Sequence, residues 1–153
     1  CYTYYGSVTG SPTAMGAAAA GRAYMVPYAH MNLPGPLNQI VRDYKQKFND
    51  DMYTGSVYHA YTMLSEAFVK AKSTDPVKVA AVMEGMKFNS FNGEVEMRKT
   101  DHQLQQGLFI SKWEKAGGKY PIDSENTGHT FVPVKYYEPY VASTPTSCQM
   151  KRP

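Results

Sequence analysis

Tyr2-Thr3-Tyr4-Tyr5-Gly6, a turn of small residues from Ser7 to Ser11, an alanine-rich run from Thr13 to Ala20 closed by Gly21, and Arg22-Ala23-Tyr24-Met25-Val26-Pro27-Tyr28 decide the fold class. The tyrosine–threonine run is β-prone and stops at a glycine. Ser11 before Pro12 is a helix-start signal, with Ser11 as N-cap and proline at the first helical position. Gly21 suits the helix end. Residues 22–28 read as a second strand, with Pro27 near its end. A strand–helix–strand with so short a crossover predicts a parallel sheet covered by helices, the α/β class.

Downstream, Ala29 to Pro36 reads as a loop. Leu37, Ile40, Val41, Tyr44 and Phe48 then share one face of a 3.6-residue period, with Arg42, Lys45 and Lys47 on the wet side. Asn49 to Gly55 is a connector. A second amphipathic helix carries Val57, Tyr61, Leu64, Phe68 and Ala71 on one stripe, expected to be core. Ser73-Thr74-Asp75-Pro76 stops that helix and starts a third, in which Thr74 or Asp75 can cap and the run extends to Met86. From Phe88 the period shifts to strands. Phe91-Asn92-Gly93 is a turn before an edge-type strand with Val95 and Met97 on one side. Leu104 to Trp113 is a longer strand, Lys115 to Asn126 a polar loop, Phe131 to Tyr137 a last strand, and 138–153 a surface tail.

Length and composition bound the function. The chain of 153 residues is one ordinary domain's length, and 42% hydrophobic against 19% charged residues allows a packed core. A net charge of +3 is too weak and too evenly spread for a nucleic-acid partner. No run approaches the roughly 18 apolar residues of a membrane span. The chain opens inside a strand, without a basic n-region or apolar h-region, and is expected to be a piece of a longer protein.

The chemical candidates are few. His30, His59, His102 and His129 lack the i, i+4 spacing of a helical metal motif, and no cysteine lies near one, so no metal is expected. Gly6-Ser7-Val8-Thr9-Gly10 is neither a nucleophile elbow nor a phosphate loop. It reads equally as a flexible strand-to-helix turn or as a ligand-facing loop at the carboxyl end of a strand. Tyr58 and His59 flank the second helix's stripe and can face a cleft, whereas Tyr61 lies on the stripe itself. A tyrosine wall packs an apolar ligand and keeps a hydroxyl for hydrogen bonding. Arg98-Lys99-Thr100-Asp101-His102-Gln103 reads as a solvated turn or as a connector. Cys1 and Cys148 can pair, which in the chain-entropy model stabilises by about 4–5 kcal/mol.

The ordered set of motifs resembles the late segment of solute-binding proteins of branched-chain amino-acid-type ABC transporters, the periplasmic binding proteins of type I. It comprises Tyr4-Tyr5-Gly6, the alanines before Gly21, Tyr28-Ala29-His30-Met31-Asn32, Tyr58-His59-Ala60 through Glu66-Ala67, and Ser73-Thr74-Asp75-Pro76. Further on come Phe91-Asn92-Gly93 through Met97-Arg98-Lys99, Asp101-His102-Gln103 with Gln106, and Ser147-Cys148-Gln149-Met150. The resemblance implies two α/β lobes joined by three crossovers, with a solute between them, in a protein more than twice this long. Residues 1–28 and 104–153 would then be parts of the second lobe and 33–98 part of the first. Residues 29–32 and 99–103 would be crossovers, with His30, Asp101 and His102 at the hinge. Cys1 and Cys148 would share a lobe, favouring a disulfide.

By the same resemblance the ligand set is Val8, Thr9, Tyr58, His59 and Tyr61, with the matching aromatic at Tyr58 or Tyr61. Family members meet a solute's amine with an acid after the strand matching Tyr2–Tyr5. Val8 and Thr9 stand there instead, which favours a carboxylate or amide without an ammonium. The implied function is the extracytoplasmic, non-enzymatic solute-binding component of an ABC importer for a small amino acid, amide or organic acid. No cofactor is expected, and the precursor would carry a signal peptide. Its partners would be the solute, membrane permease subunits and the missing N-terminal segment. The alternatives are a ligand-sensing domain of the same fold or an inactive fragment lacking the N-terminal half. An enzyme would need a nucleophile–base pair, which no spacing suggests.

Overall fold

The structure is a computed structural model describing residues 1–151. Arg152 and Pro153, the end of the expected tail, lie outside the described residues. Two compact units divide the chain. One holds residues 1–55 and 108–136, and the other 56–107 and 137–153. The chain therefore passes between them after Gly55, Gly107 and Tyr136. Residues 33–55, expected with the first lobe, belong to the same unit as 1–28.

The first unit is built on a sheet in the order β1 (Tyr2–Thr3), β2 (Tyr24–Met25), β6 (Leu108–Lys115), β7 (His129–Tyr137). β1 and β2 run parallel, Tyr2 opposite Tyr24, as the strand–helix–strand reading requires. β2 and β6 are antiparallel, so the α/β class holds with a mixed sheet. Beneath it, Ala23, Met25, Trp113 and Phe131 form the core, with Met15, Ala19 and Ala20 packed on it. Trp113 is fully buried, and its indole N–H donates to the Gly16 carbonyl at 2.7 Å.

The alanine-rich helix is shorter than expected. α1 (Ser11–Met15) starts from Gly10 as N-cap, not Ser11, and stops at Gly16, whose φ of 47° and ψ of −150° leave helical space. A single 3-10 turn, Ala17–Ala19, follows. Only glycine reaches that backbone geometry cheaply, and it turns the Gly16 carbonyl toward Trp113. α2 (Pro36–Phe48) forms over the expected segment and buries Val41 and Asn38, but Phe48 of the stripe is exposed and Lys45, expected on the wet side, is held in an ion pair with Asp51.

The second unit sets α3 (Gly55–Ala71, its first residue in the other unit) and α4 (Pro76–Met83) with a sheet ordered β3 (Lys87–Ser90), β4 (Gly93–Met97), β5 (Leu104–Gln105). All its pairings are antiparallel. Asp75 caps α4, its carboxylate accepting from the Lys78 N–H at 3.0 Å. β4 lies in the middle of the sheet, so the expected edge strand is central. The expected strand Leu104–Trp113 is two strands. β5 and β6 are separated at Gln106-Gly107 and belong to different sheets. Core residues Ala67, Val79, Met86, Phe88 and Val95 sit with Met63, Ala71, Met83 and Leu104 around them.

The stripe on α3 corrects the periodicity reading. Ala67 is fully buried, yet Val57, Tyr61, Leu64 and Phe68 are exposed, Tyr61 by 73%. α3 carries two apolar faces, and the sheet of its own unit covers only the one with Met63, Ala67 and Ala71. Tyr61, read from the stripe as core, is thus an exposed residue.

Candidate functional site

A cavity of about 220 Å³ opens within the first unit where three loops meet. The turn after β1 contributes Ser7, Val8 and Thr9, the loop after β2 contributes Tyr28 to Asn32, and the segment after α2 contributes Asp51, Met52 and Tyr53. Ser124, Thr130 and Phe131 close it. The turn between β1 and α1 thus lines a cavity. Val8 is half-buried and Thr9 exposed.

His30 is 3% exposed in this wall. Its main-chain N–H donates to Asn38 Oδ1 at 3.3 Å. The ring bonds the Phe131 backbone, and Nε2 lies 3.2 Å from Ser111 Oγ. The imidazole is thus held by two polar partners in a site closed to water. Burial drives its pKa from the ordinary 6.5 down to about 4.

Around the cavity, carboxylates tie the loops together. Glu125 lies in the β6–β7 loop with φ of 51°. Its Oε1 accepts the Gly10 N–H at 2.6 Å and the Tyr53 hydroxyl at 2.5 Å. Its Oε2 accepts the Thr13 N–H at 2.8 Å and the Thr13 hydroxyl at 2.6 Å. Burial pushes this carboxyl upward, but the donors from Thr13, Tyr53 and Gly10 outweigh it, and the net pKa lies below the ordinary range. Tyr53 moves the opposite way, raised by burial and then by its bond to Glu125. Asp51 Oδ1 takes Lys45 Nζ at 2.7 Å, and Oδ2 takes the Glu125 N–H at 3.1 Å. Burial raises the Asp51 pKa despite Lys45. Ser124 Oγ is buried without a hydrogen-bond partner among the described residues.

The remaining candidates lie in the second unit. His59 stands beside Phe91, with ring centroids 4.8 Å apart, and beside Phe88 at 6.0 Å. Tyr58 is 5.9 Å from Phe91. His59 Nε2 is buried without a hydrogen-bond partner among the described residues, and desolvation lowers its pKa. Asp101 and His102 belong to the turn joining β4 to β5. Arg98 Nη2 bonds Asp101 Oδ2 at 2.6 Å, and His102 Nε2 lies 3.1 Å from Glu84 Oε1. None of His30, Asp101 and His102 stands at a passage between units. Cys1 and Cys148 are free and exposed in different units, so the expected disulfide is not formed here.

Of the residues read as ligand-facing, Val8 and Thr9 line the cavity; His30, read as a hinge residue, lines it too, and Asp51, Tyr53 and Glu125 were missed. Asp51 and Tyr53 were read as part of a plain connector and Glu125 as part of a polar loop. The available signal was carboxylates and an aromatic hydroxyl on loops between regular elements. Among the described residues no group of three or more His, Cys, Asp or Glu side chains is arranged to hold a metal ion. No helix there is long and apolar enough to cross a membrane.

A profile of the periplasmic binding protein family matches residues 2–119, and the chain belongs to that family. Its structure is similar to the leucine-, isoleucine-, valine-, threonine- and alanine-binding protein of Brucella ovis in its closed conformation. The TM-score is 0.82 at 21% identity over 99% of this chain and 40% of that one. It is also similar to an ABC-type branched-chain amino acid transporter protein of Rhodopseudomonas palustris (26% identity, TM-score 0.66, 84% of this chain and 34% of that one). A third similar structure is a solute-binding protein of an ABC transporter from Rhodopseudomonas palustris in complex with 3,4-dihydroxybenzoic acid (22%, TM-score 0.66, 80% and 32%). The chain thus spans at most 40% of the length of these three proteins. No curated protein matches the sequence significantly.

Proposed function

We propose that the whole protein is the extracytoplasmic solute-binding component of an ABC importer, exported by a signal peptide and binding a small amino acid, amide or organic acid between two lobes. The family match over residues 2–119 carries this reading. The cavity at the Ser7–Thr9 turn supports it, because loops at the carboxyl ends of strands are where α/β sheets hold ligands. Val8, Thr9, Tyr58, His59 and Tyr61 are assigned to the solute.

The proposed mechanism is a population shift. A solute with higher affinity for the closed form moves the hinge equilibrium toward it, and that form docks on permease subunits. Half a cleft cannot enclose a solute, so the part of the protein outside this chain is a required partner. The reading is of a binding protein, not an enzyme. Calorimetry of the whole protein against small amino acids, amides and organic acids tests it. Saturable binding of one class supports the reading, and no heat or thermal shift across the panel rejects it.

A further inference from the structure

Carboxylates outnumber cations on one side of the cavity. Lys45 Nζ is shared, lying 2.7 Å from Asp51 Oδ1 and 3.8 Å from Asp123 Oδ1. Glu125 accepts only from neutral donors, the N–H groups of Gly10 and Thr13 and the hydroxyls of Thr13 and Tyr53. Asp50, exposed, adds a further carboxylate and accepts the Asp51 N–H at 2.8 Å. Arg42 donates to the Met31 and Leu33 carbonyls and to Gln39 Oε1, all of them uncharged. No lysine or arginine is among the described lining residues, and burial disfavours the charged form of His30.

Asp51 is the carboxylate that lines the cavity itself. Each of its oxygens takes one bond, Oδ1 from Lys45 and Oδ2 from the Glu125 N–H, and each has a further lone pair to offer. Burial raises its pKa despite Lys45, and the Glu125 charge adds to the rise. A buried carboxylate that shares its cation is stabilised by a further positive charge.

Ser124 belongs to the same stretch of wall, since the residue that follows it, Glu125, supplies the N–H on Asp51 Oδ2. Ser124 is fully buried and lines the cavity, and its Oγ has no hydrogen-bond partner among the described residues. A buried hydroxyl left unpaired is unfavourable, and a donor lodged in the cavity would satisfy its oxygen. An ammonium donates from every N–H and accepts nothing, and it leaves water at low cost only where an anion meets it. A serine oxygen beside an under-paired carboxylate meets both needs.

Resting on the solute-binding reading, we propose that this cavity holds an ammonium group of the solute, with Asp51 as its counter-ion and Ser124 Oγ as a second acceptor. The acid then comes from the segment after α2 and not from the turn after β1, so Val8 and Thr9 do not exclude an ammonium. The solute class is narrowed to compounds that carry one.

Calorimetry of the whole protein tests this with two matched pairs that differ in the ammonium, L-leucine with 4-methylpentanoate and L-phenylalanine with 3-phenylpropanoate. The expected result is that the amino acid binds about tenfold tighter or more in at least one pair, with the acid lacking the ammonium favoured in neither. Asp51→Asn should remove that preference and leave the affinity for the acid without an ammonium unchanged. Ser124→Ala, which deletes a hydroxyl with no partner in the fold, should keep the thermal midpoint and weaken the amino acid alone. Equal or tighter binding of the acid without an ammonium in both pairs overturns the proposal and leaves the solute-binding reading standing. So does a preference that survives in both variants. No binding of any of the four compounds at millimolar concentration overturns both.

Discussion

Glu125 and Thr13 are joined by two hydrogen bonds across 112 residues of sequence: the Thr13 N–H and hydroxyl both donate to Oε2, at 2.8 and 2.6 Å. The carboxylate replaces the missing side-chain cap of α1, whose N-cap is Gly10. Through Tyr53 it also holds the segment after α2. One side chain therefore fixes the turn that carries Val8 and Thr9.

Replacing Glu125 with alanine removes these acceptors and costs about 1–3 kcal/mol of stability, while Glu125→Gln keeps part of the set and costs less. The carboxyl pKa is depressed in the folded state, so its stabilisation is present above the ordinary carboxyl range. It is lost as pH falls from about 4.5 through the lower folded value. Denaturant titrations from pH 7 to pH 3 should show the gap between wild type and Glu125→Gln closing in acid. A gap independent of pH would mean the ionised form is not what matters.

His30 adds acid sensitivity of the same sense at higher pH. The unfolded ring takes its proton near pH 6.5, while the folded one stays neutral down to about 4. Between these values the unfolded chain binds more protons, so stability falls as pH drops, by on the order of 3 kcal/mol in full. NMR titration of the His30 ring in the native protein should show no midpoint above pH 5. A midpoint near 6.5 would refute its burial as a neutral group.

Trp113 is the single tryptophan, fully buried in the first unit's core. Native emission should be blue-shifted and should report on that unit alone. Trp113→Ala should cost about 3–5 kcal/mol. Trp113→Phe should cost less, since it keeps the apolar contact with Phe131 but strands the Gly16 carbonyl.

Tyr58→Ala in the whole protein should weaken solute binding with little loss of stability, because the ring is only half-buried against Phe91. Unchanged affinity by calorimetry would remove Tyr58 from the site.

Local signals were legible where one segment decides its own conformation. α2 forms over the segment its 3.6-residue period marks, Asp75 caps α4 as the Ser-Thr-Asp-Pro signal suggests, and β1 and β2 pair in parallel across a short crossover. The errors arose where two segments must meet. Leu104–Trp113 looks like one strand because nothing in its pattern says that its halves pair with β4 and with β2. α3 misled because helical periodicity finds an apolar face without saying whether anything covers it.

By itself, the order of residues determined the α/β class, the helix at 36–48, the family resemblance and the Val8–Thr9 turn as a ligand-facing candidate. Those properties rest on backbone preference and periodicity over a few neighbouring residues. Only tertiary structure decided that Glu125 clamps that turn, that Asp51 pairs with Lys45, and that His30 sits uncharged in the wall. Charge balance in a buried site depends on which distant groups are brought within hydrogen-bonding distance and which water is removed, and no local pattern encodes either.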